Sequence, residues 1–255
     1  MANLVIDIGN TRTKLAVFEQ GKMLIRDEPA AGLTTAIEAA VSGRDCSKAI
    51  LSSVREDKPE LRRWLSLNFE KAVFLDHTTA LPFVNHYATP ETLGNDRLAL
   101  VAAAVDKHPG RDILVLDAGT CITYDFVDRR KNYYGGLISP GLNMRLAAMH
   151  QFTEGLPRVE WDPDLFQAAI SSAGDEVSGD STHHAMLMGA GLGALCETEG
   201  IINRYGDRYG ELDVMLTGGD AVFFSSNLKR RIFAHPNLVL EGLDALLRYV
   251  THDME

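Results

Sequence analysis

Two short segments combine an aspartate, a glycine and threonine hydroxyls directly after an apolar strand pattern. Residues 4–14 read LVIDIGNTRTK, and residues 114–125 read LVLDAGTCITYD. Glycine lets the backbone approach an anion closely, and turn amides and threonine hydroxyls can donate hydrogen bonds to phosphate oxygens. Each segment therefore predicts a phosphate-binding β-hairpin, although a single DxG turn also occurs in hairpins that bind nothing.

The two segments are related by an offset of 110 residues. Four identities fall at this offset: Asp7 and Asp117, Gly9 and Gly119, Thr13 and Thr123, and Val17 and Val127. Two spaced copies of strand, DxG turn and strand predict a duplicated architecture with a nucleotide held in the cleft between the halves. Lys14 adds a cation near the first turn, and the two turn carboxylates would repel bound phosphate unless Mg²⁺ lay between them.

A third candidate group follows a helix-start signal at residues 89–91, which read TPE. A capping hydroxyl, a proline at the first helical position and an acid in the first turn favour a helix from this point. Gly94 would lie within that helix at a cost of about 1 kcal/mol relative to alanine. Asp96 could accept a hydroxyl proton while Arg97 holds an anionic substrate, or the two could form a solvated pair.

Two glycine-rich segments have less specific interpretations. Residues 217–221, TGGDA, could contact adenosine or ribose, or could form a strand-to-helix turn with Asp220 as the N-cap. Residues 189–193, GAGLG, resemble a dinucleotide fingerprint but lie within a predicted helix, which favours close helix packing.

Composition excludes several classes of protein. The 255 residues carry a formal net charge of −10, with 45% hydrophobic and 24% charged residues, as in ordinary globular proteins. The acidic balance argues against nucleic acid and an anionic membrane as partners. Three cysteines without CxxC spacing favour a reducing cytoplasm and argue against a zinc site. We expect no membrane span of roughly 20 apolar residues and no signal peptide.

The order of strand and helix patterns predicts the α/β class with mixed sheets flanked by helices. We place a domain boundary after residue 110, which gives an N-terminal domain of residues 1–110 and a C-terminal domain of residues 111–255. Within the second, we predict a long helix over 182–205 and a last strand over 237–240. We expect no regular element in the glycine-rich segment 135–141 or in the polar connection 161–180.

These motifs, in this order, resemble the type III pantothenate kinase family of the actin and hexokinase superfold, whose two domains are ribonuclease H-like. The resemblance covers residues 4–243. It rests on eight segments: DIGNTRTK from Asp7, GNDR from Gly94, DAGT from Asp117, GGLISPG from Gly135, EGLP from Glu154, STHHAMLMG from Ser181, TGGDA from Thr217 and LVLEGL from Leu238. Each is weak alone, whereas eight in order are specific.

The resemblance implies transfer of the ATP γ-phosphate to pantothenate, the first step of coenzyme A biosynthesis. It implies that Asp96 is the catalytic base and that Asp117 binds a monovalent cation, K⁺ or NH₄⁺, besides Mg²⁺ with the ATP. The implied ATP-binding residues are Asp7, Ile8, Gly9, Asn10, Thr11, Arg12, Thr13, Lys14 and Thr120. The implied pantothenate-binding residues are Tyr87, Gly94, Asn95, Asp96, Arg97 and Thr182.

The family resemblance also implies a cytoplasmic homodimer in which the partner subunit helps complete the pantothenate site. Two other functions stay open: a kinase of the same superfold for another small alcohol, and a catalytically weak relative acting as a transcriptional accessory protein. The GNDR segment and the chain length argue against the first. Intact Asp96 and Lys14 argue against the second.

Overall fold

The structure is a computed structural model that describes residues 1–9, 11–30, 32–54, 59–173 and 177–252. Its strands are β1 Ala2–Ile8, β2 Thr13–Glu19, β3 Lys22–Asp27, β4 Cys46–Ser53, β5 Lys71–Phe74, β6 Val84–Asn85, β7 Ile113–Ala118, β8 Cys121–Val127, β9 Asn132–Pro140, β10 Asp213–Thr217 and β11 Phe233–Ala234. Its helices are α1 Leu33–Val41, α2 Pro59–Asn68, α3 Asn95–Lys107, α4 Leu142–Gln151, α5 Pro163–Ala173, α6 Thr182–Tyr209, α7 Ala221–Asn227 and α8 Leu238–His252, with a 3₁₀ turn at Pro90–Thr92.

The first sheet has the strand order β3-β2-β1-β4-β5. β1 pairs antiparallel with β2 and parallel with β4, so it lies inside a mixed sheet. Central strands with both faces covered are apolar along their length, and Leu4, Val5 and Ile6 are all fully buried. This burial explains why an aspartate at the end of such a strand, Asp7, lies at the edge of a hydrophobic core.

The second sheet repeats the order of the first. Its strands run β11-β10-β7-β8-β9-β6, so that β9-β8-β7-β10-β11 corresponds to β3-β2-β1-β4-β5, with β6 added beside β9. β7 and β10 are parallel, as β1 and β4 are. The predicted α/β class with mixed sheets and a duplicated strand arrangement is therefore confirmed.

The chain divides into two compact units that interleave along the sequence. The first contains residues 1–111, 125–135 and the segment from Asn237 onward, and the second contains residues 112–124 and 136–236. α8 packs on α3 and on the first sheet. The consecutive division into residues 1–110 and 111–255 stays a prediction, but the closing helix belongs to the first of these compact units.

Three local predictions were wrong. The glycine-rich segment 135–141 is mostly strand, because Gly135 adopts φ +101° beneath the Tyr87 ring while β9 continues through it. The connection 161–180 contains α5, whose start is marked by Pro163 after Asp162. The segment 237–240 opens α8, because a short apolar run does not distinguish a strand from a buried helix.

Contrary to the sequence expectation, one helix among the described residues, α6, is long and apolar enough to cross a membrane. Half of its most apolar window is buried inside the structure, where α6 packs against α4 and α5. Core helices of soluble proteins meet the same length and composition criteria, so this helix is weak grounds for a membrane span.

We predict that Gly242→Ala destabilises the chain by about 1–3 kcal/mol, the usual cost of overpacking. A Cβ at Gly242 would lie 2.6 Å from the carbonyl carbon of Ala99, where α8 crosses α3. Urea denaturation measures the effect. Gly200→Ala in α6 is the matched control, because no described atom lies within 4 Å of its Cβ and alanine favours the helix. Equal stabilities of the two variants would contradict the close helix crossing.

Candidate active site

The first predicted phosphate turn is the β1–β2 hairpin. Asp7 lies opposite Lys14 on β2 and opposite Ser52 on β4. The Gly9 amide donates a hydrogen bond to the Arg12 carbonyl at 3.0 Å, which closes the turn. Asn10 lies outside the described residues. The hairpin therefore places a carboxylate, an amine and a glycine turn together, as predicted.

Asp7 is buried, and its Oδ1 atom has no hydrogen-bond partner among the described residues. Burial raises the pKa of Asp7 to about 6, the charge of Lys14 lowers it, and the charge of Asp96 raises it. The mutual repulsion shows that the Asp7 and Asp96 carboxylates belong to one electrostatic group. An unpaired buried carboxylate oxygen beside an amine is suited to bind a cation or an ordered water.

The remaining residues of this hairpin contribute in different ways. Ile8 is a core residue, so only its backbone could contact a ligand. Thr11 and Arg12 are exposed, and the Arg12 Nη1 atom forms an ion pair with Glu28 at 3.2 Å. Thr13 is half-buried at the start of β2. An anion would therefore compete with Glu28 for Arg12.

The GNDR segment forms the first turn of α3. Gly94 is its N-cap in extended conformation, rather than a residue inside the helix. A Cβ at Gly94 would overlap the Asp96 Oδ1 atom, so any other residue there would displace the carboxylate from this position. Asp96 Oδ1 accepts a hydrogen bond from the Arg97 amide at 2.8 Å, and Asn95 Nδ2 donates to the Leu75 carbonyl at 2.8 Å. The half-buried Asp96 carboxylate thus has a defined position.

Arg97 is buried against an aspartate that the sequence analysis did not select. Its Nη2 atom lies 2.6 Å from Asp125 Oδ1, and its Nε atom lies 3.0 and 3.1 Å from the two carboxylate oxygens. Tyr133 donates its hydroxyl to Asp125 at 2.7 Å. Burial disfavours the charged guanidinium, but the hydrogen bonds and charge of Asp125 outweigh this and raise the pKa of Arg97.

Tyr87 packs in the same cluster. Its ring is stacked on Tyr133 with a centroid separation of 6.4 Å, and the Arg97 guanidinium lies 5.6 Å from the Tyr87 centroid. A Cβ at Gly135 would lie 2.8 Å from the Tyr87 ring. The structure therefore brings Tyr87, Asp96 and Arg97 together in the first unit. Asp125 thus occupies the Nε–Nη2 edge of Arg97, and this edge is not available to a substrate.

A buried aspartate in β8 is the signal that could have identified this partner. Residues 121–127 read CITYDFV, and Asp125 has no exposed surface. A carboxylate in an otherwise apolar strand segment is stable only when a charged or hydrogen-bonding partner is buried with it. The sequence does not indicate which cation that partner is.

The second predicted phosphate turn lies in the second unit, between β7 and β8. The Gly119 amide donates to the Cys121 carbonyl at 3.0 Å, and the exposed Thr120 accepts a backbone hydrogen bond from Gly141 at 3.1 Å. A Cβ at Gly218, where φ is +102°, would lie 2.5 Å from Asp117 Oδ1, and a Cβ at Gly119 would lie 3.6 Å from it. Two glycines thus lie against the Asp117 carboxylate, and a side chain at Gly218 would collide with it.

The donor sets fit weakly bound cations better than a fully coordinated metal. The described residues contain no group of three or more His, Cys, Asp or Glu side chains that could hold a metal ion. Mg²⁺ that arrives with ATP needs only one or two protein carboxylates, and the unpaired Asp7 Oδ1 atom can supply one.

The last predicted substrate residue, Thr182, belongs to the second unit. It is the exposed first residue of α6, and Ser181 is the N-cap, whose hydroxyl accepts a hydrogen bond from the His184 amide at 3.2 Å. Tyr87 and residues 94–97, in contrast, belong to the first unit.

Comparison with known proteins decides the family. The sequence model of type III pantothenate kinase matches residues 3–204. The chain belongs to this family. It is 43% identical to the type III pantothenate kinase of Bacteroides fragilis strain YCH46 over 250 residues, covering 97% of this chain and 98% of that protein. The enzyme of Christiangramia forsetii is 41% identical over 255 residues, with coverages of 97% and 98%.

Family membership gives the reaction, ATP-dependent phosphorylation of pantothenate in coenzyme A biosynthesis. As an ATP-using kinase, the pantothenate kinase works with a divalent metal such as Mg²⁺. Both alternatives from the sequence analysis are therefore disfavoured.

Solved structures share the fold. A ROK family glucokinase from Streptomyces griseus, solved with glucose and AMPPNP, has a TM-score of 0.53 at 12% identity, covering 98% of this chain and 100% of that one. A conserved Campylobacter jejuni protein named as a Baf family transcriptional activator has a TM-score of 0.61 at 17% identity, with coverages of 98% and 99%. At these identities the likeness shows the fold alone.

We predict that Asp7→Asn makes the chain more stable than wild type at pH 8, by about 3 kcal/mol at 1.36 kcal/mol per pKa unit. Because burial raises the pKa of Asp7 from 3.8 to about 6, the wild-type chain loses stability as the pH rises through this interval. Urea denaturation at pH 4, 6 and 8 should show the advantage of the variant vanishing near pH 4.

The control is Asp106→Asn, which removes an exposed carboxylate paired with Arg248. Its stability should stay within about 0.5 kcal/mol of wild type, with no gain at pH 8. A destabilised Asp7→Asn variant at pH 8 would show that Asp7 is ionised and favourably paired in the folded chain.

Proposed function

We propose that this pantothenate kinase uses Asp96 as the general base that receives the proton of the pantothenate primary hydroxyl. The observation that carries the proposal is the defined position of the half-buried Asp96 carboxylate, between two residues whose side chains bond elsewhere in the unit. In the transfer, the hydroxyl oxygen bonds to the γ-phosphorus, the bond from that phosphorus to the β–γ bridging oxygen breaks, and Asp96 accepts the proton.

The proposed ligand contacts follow the two hairpins and the α3 start. We infer that residues 7–14 bind ATP phosphates through amides, hydroxyls and the Lys14 amine, and that the Thr120 hydroxyl is a further phosphate contact. Tyr87, residues 94–97 and Thr182 contact pantothenate. Asp7 is the carboxylate placed to hold Mg²⁺, which supplies charge neutralisation at the transferring phosphate when it is bound.

We further propose that Asp117 binds K⁺ or NH₄⁺. The support is chemical: the Asp117 carboxylate is an oxygen ligand with glycines rather than bulky side chains against it, and Thr123 Oγ1 in the adjoining strand is buried without a hydrogen-bond partner among the described residues. A cation there would offset the negative charge that Asp117 brings to a phosphate-binding turn.

For assembly, we propose a cytoplasmic homodimer in which Thr182 reaches the pantothenate bound by the partner subunit. In support, α6 exposes Ala185, Gly189 and Cys196 on one side, and these small side chains allow close helix approach. Met186 and Met188 of the same helix are buried and do not belong to this exposed side. The net charge of −10 argues against a nucleic-acid or membrane partner.

We predict that Asp96→Asn lowers kcat by about 10²-fold or more, because the amide cannot accept the hydroxyl proton, and leaves the KM for ATP nearly unchanged. An ATP-consumption assay with pantothenate measures kcat and the KM for ATP. The same assay with a small panel of other alcohols measures the preference for pantothenate. The matched control on the same helix is Asp106→Asn, which should keep wild-type kcat. Wild-type turnover in Asp96→Asn would remove Asp96 from this role.

For the cation, we predict that activity collapses in a buffer whose only monovalent cation is Na⁺ and recovers with K⁺. Asp117→Asn should abolish the recovery, because the amide lacks the charge that attracts the ion. Equal activity of the wild-type enzyme in both buffers counts against the cation proposal.

For the dimer, we predict complementation between two inactive variants. Asp96→Asn and Thr182→Arg subunits, each nearly inactive alone, should regain activity when co-expressed, since one site then combines an intact Asp96 with an intact Thr182 of the other chain. Dimers shown to contain both chains but no activity would place Thr182 in the site of its own subunit.

A further inference from the structure

We propose that Asp125 and Tyr133 are positioning residues for phosphoryl transfer, which hold Arg97 and thereby the first turn of α3 that carries Asp96. The inference rests on the proposed base role of Asp96. Asp125 and Tyr133 would touch neither ATP nor pantothenate, and they would act through the residues that do.

The Arg97–Asp125 ion pair is buried and closely held. Arg97 and Asp125 are 5% and 0% exposed, and three contacts of 2.6 to 3.1 Å join them. A planar guanidinium held along one edge by a carboxylate has little freedom to rotate. The Tyr133 hydroxyl, 2.7 Å from Asp125 Oδ1, fixes the carboxylate in turn.

Asp96 lies in the first turn of α3, which neighbouring side chains hold in place. The first turn of a helix has amides without intrahelical acceptors and frays most easily. Here Asn95 donates to the Leu75 carbonyl and Arg97 bonds to Asp125, so Asp96 lies between two residues bonded to different strands or loops. Its own carboxylate is bonded to the Arg97 amide. A shift of the Arg97 backbone would therefore move the Asp96 carboxylate.

Arg97 and Tyr133 also contact Tyr87, a proposed pantothenate-binding residue. Tyr133 stacks on the Tyr87 ring at an interplanar angle of 11°, and the Arg97 guanidinium approaches that ring. Gly135 leaves the space that the ring needs. The buried ion pair and Tyr133 thus contact both the helix turn that carries Asp96 and the Tyr87 ring, which we propose contacts pantothenate.

A buried ion pair is a poor choice for stability alone. Well-packed apolar side chains of similar volume are often as stable or more stable, because both charges must be removed from water. What the pair supplies here is a directional hold on the Arg97 side chain, next to Asp96.

The test uses Tyr133→Phe and Asp125→Asn in the full-length enzyme. Tyr133→Phe removes one hydroxyl and should lower kcat by about 3- to 10-fold, the rate equivalent of one hydrogen bond. Asp125→Asn should lower kcat by about 10²-fold. Both should raise the KM for pantothenate and leave the KM for ATP unchanged, because residues 7–14 are untouched.

The matched control is Asp244→Asn. Asp244 is another buried aspartate of the first unit, 1% exposed, and it accepts hydrogen bonds from Asn3 at 2.8 Å and from Arg248 at 2.9 Å. The variant should lower the thermal midpoint without changing kcat or either KM. If Asp125→Asn fails to fold by circular dichroism, Tyr133→Phe carries the test alone.

A double-mutant cycle separates positioning from general damage. If Tyr133 acts through Asp96, Tyr133→Phe should cause no further loss of kcat, less than about 2-fold, in the Asp96→Asn background. Wild-type kcat and pantothenate KM in Tyr133→Phe, or losses that multiply in the double variant, would overturn the proposal. Wild-type turnover in Asp96→Asn alone would reject the base itself, and the positioning role would fall with it.

Discussion

The buried ion pair between Arg97 and Asp125 is the interaction on which the proposed chemistry of the first unit depends. It joins the start of α3 to β8, two elements distant in sequence, and Tyr133 completes its hydrogen bonding. Loss of either charge would leave the other buried and unpaired, at a cost of about 3–5 kcal/mol. Next to this pair, the absence of a side chain at Gly94 and Gly135 accommodates the Asp96 carboxylate and the Tyr87 ring.

In the first phosphate turn, the buried Asp7 carboxylate lowers the stability of the fold. Asp7 is held in a buried environment that raises its pKa to about 6, with one oxygen unpartnered and Asp96 close enough to repel it. A group of this kind destabilises the ligand-free fold at neutral pH. A bound cation would offset the unfavourable free energy of the ionised, buried Asp7 carboxylate. Active sites commonly trade stability for function in this way.

The sequence predicts the features that depend on local patterns. It does not predict the contacts between residues that are distant in the chain. Local patterns predict the duplicated hairpins, because Asp7 and Asp117 follow apolar strands at a fixed offset. The pairing of Arg97 with Asp125 joins residues 28 positions apart, and no local sequence pattern indicates it. The strand at Gly135 likewise depends on the Tyr87 ring, which lies 48 positions earlier in the chain. The roles of the site residues stay predictions, and the structure describes the positions of all of them except Asn10.

The most direct measurement is a crystal structure of the enzyme with ADP, Mg²⁺ and pantothenate. The account predicts the primary hydroxyl of pantothenate at about 2.6–3.2 Å from an Asp96 carboxylate oxygen, the distance that proton transfer requires. It also predicts that Arg97 keeps both Nε and Nη2 on Asp125. A structure in which Arg97 has left Asp125 to bind the pantothenate carboxylate, with the hydroxyl out of reach of Asp96, would contradict it.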